Sequence, residues 1–302
     1  MTTPWGPPPT APPRPGRPSG PPTGVVHAAP PPMVAAPVDR RPWWGLGDVV
    51  IGAVLAVVAS FVIATVVGLA LADFDDGVDQ IEALGSDPAV LALGLLAQQA
   101  TQAAWPVIVA RWKGFGVVRD FRWQFKWRDL LIGPLGAVVA IGLATVAAET
   151  VSRLLDVSDD DATNTEILTD FEGTPWFWVF VFAVAIGAPI AEELFFRGLT
   201  LRAIQKRWGL SAALFGSTII FTVPHYSGGG WGGAAVIFTA IGVVGLVFGV
   251  LAIQTGRLGP AVIAHVVFNS FTVVVLIADD SAMGSAASLR LLAGPVLSRL
   301  GS

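Results

Sequence analysis

The chain contains no cysteine, only one tyrosine and three histidines, and only 13% charged residues in a length of 302. Without cysteine there can be no disulfide, iron–sulfur cluster or thiolate metal site. Any metal would need His and carboxylate ligands. Sparse charge beside 53% hydrophobic residues and a mean hydropathy of +0.67 excludes an ordinary soluble domain of this length. A polytopic membrane protein is expected, with the lipid bilayer as its solvent. The net charge of -4 and the scattering of basic residues over short loops exclude a nucleic-acid partner.

Proline is concentrated at one end, residues 1–42 holding 15 of the 23. So few of the other residues there can pack a core that this stretch is expected to be a disordered or polyproline II cytoplasmic tail. It has no early apolar core flanked by a cleavage site, so it is not read as a signal peptide. The remainder, 43–302, is expected to be one transmembrane helical domain. Apolar runs of spanning length lie near 48–72, 88–111, 129–154, 175–207, 209–226, 234–253 and 259–278. The fold class is therefore all-α, a bundle of about seven helices. Residues 281–302, interrupted by Gly, Ser and Arg, lie on the surface or add an eighth, short helix.

Helix-start signals accompany several runs: Asp48 and Asp129 can cap, and Asp87-Pro88 and Thr174-Pro175 pair a capping residue with proline. Arg40 and Arg41, the group from Arg111 to Arg128, Lys206 and Arg207, and Arg257 fall at alternate helix ends. Those ends should face the cytoplasm, opposite acidic loops with Asp73, Asp75, Asp76 and Asp79 or Asp156 and Asp159 to Asp161. The N-terminus is then inside a plasma membrane, and the Ala/Gly/Val-rich composition suggests a bacterial one. Trp43, Trp44, Trp112, Trp123, Trp127 and Trp208 fall at the same boundary, as an interfacial belt would.

Two adjacent glutamates interrupt the run APIAEELFFRG. Charge at membrane depth is costly and marks function by default. On a helix Glu193 shares a face with Arg197, four residues on, while Glu192 points about 100° away. Glu193 can pair with the guanidinium and brace the helix, leaving Glu192 free to face a polar cavity and take a proton from water. Further along, Phe221 and His225 are four apart, and so are His265 and Asn269. At 1.5 Å per residue, Glu192 lies roughly 21 Å from Lys206 and His225 roughly 24 Å from Gly209, on either side of one tight turn. His265 and Asn269 lie roughly 12 and 18 Å from Arg257. All these groups can meet in one layer, and Pro189 and Pro224 can open the helices beside them.

The ordered set Glu192-Glu193-x-x-x-Arg197, Phe221-x-x-x-His225 and His265-x-x-x-Asn269 resembles the CPBP family of intramembrane proteases over about 175–278. That family includes the CAAX prenyl endopeptidases of eukaryotes and bacterial relatives linked to bacteriocin processing. The resemblance implies an intramembrane endopeptidase acting on a membrane-associated protein or peptide. By the same resemblance Glu192 with His225 activates water, His265 and Asn269 stabilise the oxyanion, and Glu193 with Arg197 supports the site. No cofactor is expected, although two Glu and two His could instead hold Zn²⁺. Two other classes fit the same residues: a proton-coupled transporter relaying protons through Glu and His, and a non-catalytic immunity or scaffold protein.

Three smaller readings complete the sequence. The run from Ser227 to Gly233, beside Tyr226 and His225, is either a gate for substrate or a permissive connector. Gly245-x-x-x-Gly249 implies close helix packing. Glu149 and Arg153 should form a local ion pair.

Overall fold

A computed structural model describes residues 42–72, 87–157, 171, 173–226 and 230–279. The proline-rich tail to residue 41, the acidic residues 73–79 and 159–161, the glycines 228 and 229 of the proposed gate, and the segment 281–302 lie outside those residues.

Among the described residues the backbone is helical and contains no strand. Helix α1 runs Leu46–Leu71, α2 Pro88–Lys113 and the short α3 Val117–Asp120, followed by α4 Asp129–Leu155. A single helical run then covers Trp176–His225, divided into α5 Trp176–Phe182, a π-helix π1 Ala183–Gly187, α6 Ala188–Glu192, a second π-helix π2 Glu193–Thr200, α7 Leu201–Thr222 and a 3₁₀ turn Val223–His225. Helices α8 Trp231–Thr255 and α9 Gly259–Asp279 complete the bundle.

Five of these runs are long and apolar enough to cross a membrane: α1, α4, Trp176–His225, α8 and Gly259–Ile277. The chain is an integral membrane protein. The seven expected runs are all helical, and two features make the number of long apolar runs smaller than seven. Helix α2 has the length, 26 residues, but Gln98, Gln99, Thr101 and Gln102 lower its apolarity, and Gln99 and Gln102 are buried against protein. The 50-residue run would be about 75 Å long if straight, far beyond a bilayer core of about 30 Å. It breaks at Gly209, whose φ of 82° and ψ of -178° only glycine adopts readily. The chain doubles back there, since Phe196 packs on Phe221 with ring centroids 5.2 Å apart.

Helix α1 is apolar on all sides yet leaves Val54, Val58, Phe61, Val62 and Val66 exposed, as a lipid-facing helix does. It packs on α2, while α4 packs on α8 and α9. The main core, with Phe121, Phe195, Phe221, Phe248 and Leu258, lies around the Gly209 hairpin.

The helix starts behave differently from one another. Asp87 caps α2 as expected, accepting from the N–H groups of Ala89 and Val90 at 2.8 and 3.3 Å. Asp48 sits inside α1, accepts from the Gly45 N–H and pairs with Lys113 at 2.6 Å. Asp129 accepts backward from the Lys126 N–H at 2.8 Å and binds Arg257 across the bundle. That hydrogen-bonded carboxylate holds the Arg257 guanidinium above its ordinary pKa, against the smaller effect of burial. Thr174 donates back to the Phe171 carbonyl, leaving α5 without a side-chain cap.

The tryptophan belt also needs correction. Trp43, Trp112, Trp127 and Trp208 are exposed, but Trp44 is buried against Phe121 and under the Lys206 ammonium. Lys206 donates to the Pro42 and Trp44 carbonyls, tying this end of the hairpin to the chain just before α1.

Candidate active site

The sequence leading to the two glutamates contains Pro189, which has no N–H to give to a helical ladder. In π1 the Ala188 N–H reaches back five residues to the Ala183 carbonyl, so the carbonyl facing the missing donor is that of Val184. Asn269 on α9 supplies the donor instead, its side-chain amide reaching Val184 O at 2.8 Å. The amide nitrogen has two hydrogens, so one remains after this bond is made.

Glu192 closes α6 and Glu193 opens π2. Their environments differ as the offset between neighbouring helical positions requires. Glu193 is completely buried, and Arg197 is 1% exposed. Arg197 Nη1 donates to Glu193 Oε1 at 2.8 Å, and Nη2 donates to the Gly245 carbonyl at 3.1 Å. The guanidinium also lies 4.2 Å from the Phe221 ring centroid. A buried charge pair costs least when its remaining hydrogen-bonding capacity is met; here a bare backbone carbonyl and an aromatic face serve Arg197, while Glu193 Oε2 is buried with no hydrogen-bond partner among the described residues.

Gly245 makes that approach possible. A methyl group on it would come within 3.1 Å of both Phe221 Cδ1 and Thr218 Cγ2, and 3.5 Å of Arg197 Nη2. The Gly245-x-x-x-Gly249 pattern therefore serves packing, as expected, and at its first glycine also the polar site.

His265 joins the two carboxylates. Its Nδ1 is 3.0 Å from Glu193 Oε1, and its Nε2 is 3.8 Å from Glu192 Oε2. The first is a hydrogen bond. The second is longer than one, a distance that a bridging water or substrate atom fits. The Glu192 side chain keeps 18% exposure, so it alone of the two glutamates is accessible.

His225 stands on the 3₁₀ turn that contains Pro224, partly exposed. Its Nδ1 is 2.9 Å from the Phe221 carbonyl oxygen. A carbonyl only accepts, so Nδ1 carries the hydrogen and Nε2 keeps its lone pair in the neutral ring. Phe221 contacts both imidazoles, with centroid distances of 4.8 Å to His225 and 6.0 Å to His265.

The structure thus brings together Glu192, Glu193, Arg197 and His265 directly, His225 through Phe221, and Asn269 through the backbone of π1. Glu192 faces His265 across 3.8 Å. Both π-helices, Gln99 and the role of Gly245 were not anticipated from sequence. The proline five residues after Val184 was the one signal for the first π segment.

Zinc requires at least three protein ligands around one point. Among the described residues no group of three or more His, Asp or Glu side chains is placed to hold a metal ion. The residues as arranged do not fit that ion. Beside the polar cluster, an apolar cleft of about 290 Å³ opens between α7 and α8, lined by Thr218, Ile219, Thr222, Val223, Phe238 and Gly242. The Glu149–Arg153 pair forms as expected, at 2.7 Å, on an exposed face away from this cluster.

Comparison with curated proteins and with solved structures gives no match. A family model does match, the one described as Rce1-like, type II CAAX prenyl endopeptidase, over residues 174–271. That stretch contains all six polar residues described above. Residues 174–271 are therefore similar to the Rce1-like type II CAAX prenyl endopeptidase family, over the same stretch in which the sequence resembles the CPBP proteins.

Proposed function

We propose that this protein is a metal-free intramembrane endopeptidase that hydrolyses a peptide bond in a membrane-associated protein or peptide. The reading rests on one observation: an accessible carboxylate, Glu192, 3.8 Å from an imidazole that a fully buried Glu193–Arg197 pair holds in place.

The chemistry follows from which atoms are free. Glu192, assisted by the Nε2 lone pair of His225, accepts a proton from water as its oxygen attacks the peptide carbonyl. The oxyanion then needs donors in a site of low dielectric. Asn269 offers its remaining amide hydrogen, and His265, with Nδ1 committed to Glu193, presents Nε2 toward Glu192, where it donates whenever that nitrogen carries a hydrogen. The proton held by the base passes to the leaving amine, the C–N bond breaks, and acid and amine products are released. Arg197 holds Glu193 in place, and Glu193 in turn fixes the orientation of the His265 ring. The protein is proposed to sit in a bacterial plasma membrane with its N-terminal end in the cytoplasm.

The test is cleavage of a membrane-proximal peptide by purified protein in bilayer discs. Glu192→Gln and His225→Ala should each lower kcat/KM by about 10²- to 10⁴-fold, the range of general acid–base catalysis. Glu149→Ala should cleave like the parent. Uptake of solute in proteoliposomes with no cleavage would make the protein a transporter instead. Stoichiometric zinc, with activity lost to chelation and restored by the metal, would overturn the metal-free mechanism.

A further inference from the structure

We propose that Gln99, on α2 and outside the family-matched segment, is a positioning residue that holds π1 in the register Glu192 needs. The proposal rests on the hydrolase reading above for its kinetic consequence, but not for its structural one.

Helix α2 lies along π1, α6 and π2. From it the buried Gln99 side chain donates through Nε2 to the Ala183 carbonyl at 3.2 Å. That carbonyl also receives the Ala188 N–H, the bond that defines the π turn. At the other end of the segment, a methyl group on Gly187 would lie 2.5 Å from Gln99 Oε1 and 3.5 Å from its Cδ. The carboxamide therefore lies along π1 from its first residue to its last. Asn269 holds the next carbonyl, Val184 O, from α9. Two amides from different helices thus grip two successive carbonyls of one irregular turn.

Register matters because a π turn places one extra residue in the helical ladder. If π1 relaxed to α geometry, every side chain beyond it would rotate by about 100°, one α-helical step. Glu192 would leave His265. Gln99 is also a poor choice for stability alone, since its Oε1 is buried with no hydrogen-bond partner among the described residues. An apolar side chain of similar size would avoid that unmet acceptor, but it could not hold Ala183 O.

The experiment uses the full chain in bilayer discs and the variant Gln99→Met, of similar volume and without the donor. Nitrogen-15 NMR of labelled histidine reads the imidazoles directly, there being only three, with His265 assigned by a His265→Gln sample. The expected result is a displaced His265 resonance at an unchanged or raised unfolding midpoint. Peptide cleavage should show kcat lowered by about tenfold to hundredfold, the effect of a misplaced catalytic group, with KM changed by less than about twofold. Should Gln99→Met fail to fold, Gly187→Ala displaces the same carboxamide from the other side and should move the same resonance. An unmoved His265 signal in the folded variant, or a kcat that falls only with the folded fraction, overturns the proposal. A parent protein that cleaves nothing removes the hydrolase reading, while the NMR result still decides whether Gln99 sets the site.

Discussion

Replacing Arg197 with methionine isolates the buried charge pair. The methionine keeps a stem of similar reach against Phe221 but deletes the donor to Glu193 Oε1 at 2.8 Å and the donor to Gly245 O at 3.1 Å. Glu193, with no exposure at all, then retains only His265 at 3.0 Å. Breaking a buried pair from one side costs about 3–5 kcal/mol, whereas replacing both partners by apolar groups of similar volume is often close to neutral. Arg197→Met should therefore lose about 3–5 kcal/mol, and Glu193→Leu with Arg197→Met should recover most of it. The assay is a double-mutant cycle on unfolding in bilayer discs, with ligand-free protein throughout. If the single variant loses less than about 1 kcal/mol, or the double variant is no better than Arg197→Met, the pair is not what stabilises the centre of the bundle. Neither variant should retain peptide cleavage, which separates the pair's service to the site from its net worth to the fold.

Three further outcomes follow from packing. Gly245→Ala should destabilise by about 1–3 kcal/mol through overpacking, because its methyl would crowd Phe221 and Thr218, and it should slow cleavage by loosening Arg197; thermal unfolding and kcat check the two parts. Gly209→Ala forces a side chain onto a φ of 82°, so an unfolding midpoint lowered by about 1–3 kcal/mol of strain is expected, and an unchanged midpoint would contradict the hairpin. Trp44→Ala should cost about 3–5 kcal/mol as a core truncation, whereas Trp43→Ala, at 87% exposure, should change the same measurement by less than about 0.5 kcal/mol.

Much of this arrangement is legible in the sequence because membrane helices advertise themselves by length and apolarity. The seven expected runs correspond to helices within a few residues at most ends, and the break at residue 208 or 209 fell where Gly209 turns the chain. The polar residues stood out because lipid gives them no other use, and the i, i+4 spacing of Glu193 and Arg197 already implied their contact. Hydrogen-bond register was not legible. Pro189 could have kinked the helix, broken it or widened it, and the donors that decide, Gln99 and Asn269, come from helices some 85 residues away on either side. Trp44 was misplaced for a related reason: composition puts a tryptophan near an interface, but only tertiary packing distinguishes one facing Phe121 from its neighbour facing out.

Because Glu193 and Arg197 lie on one helix, four residues apart, they can neutralise each other before any other part of the bundle is in place. The nascent segment can leave the translocon as a locked zwitterion rather than as two separate ions, sparing it a penalty otherwise paid twice in hydrocarbon. Glu192 has no such companion one turn away on its own helix, and the group it faces, His265, comes from α9.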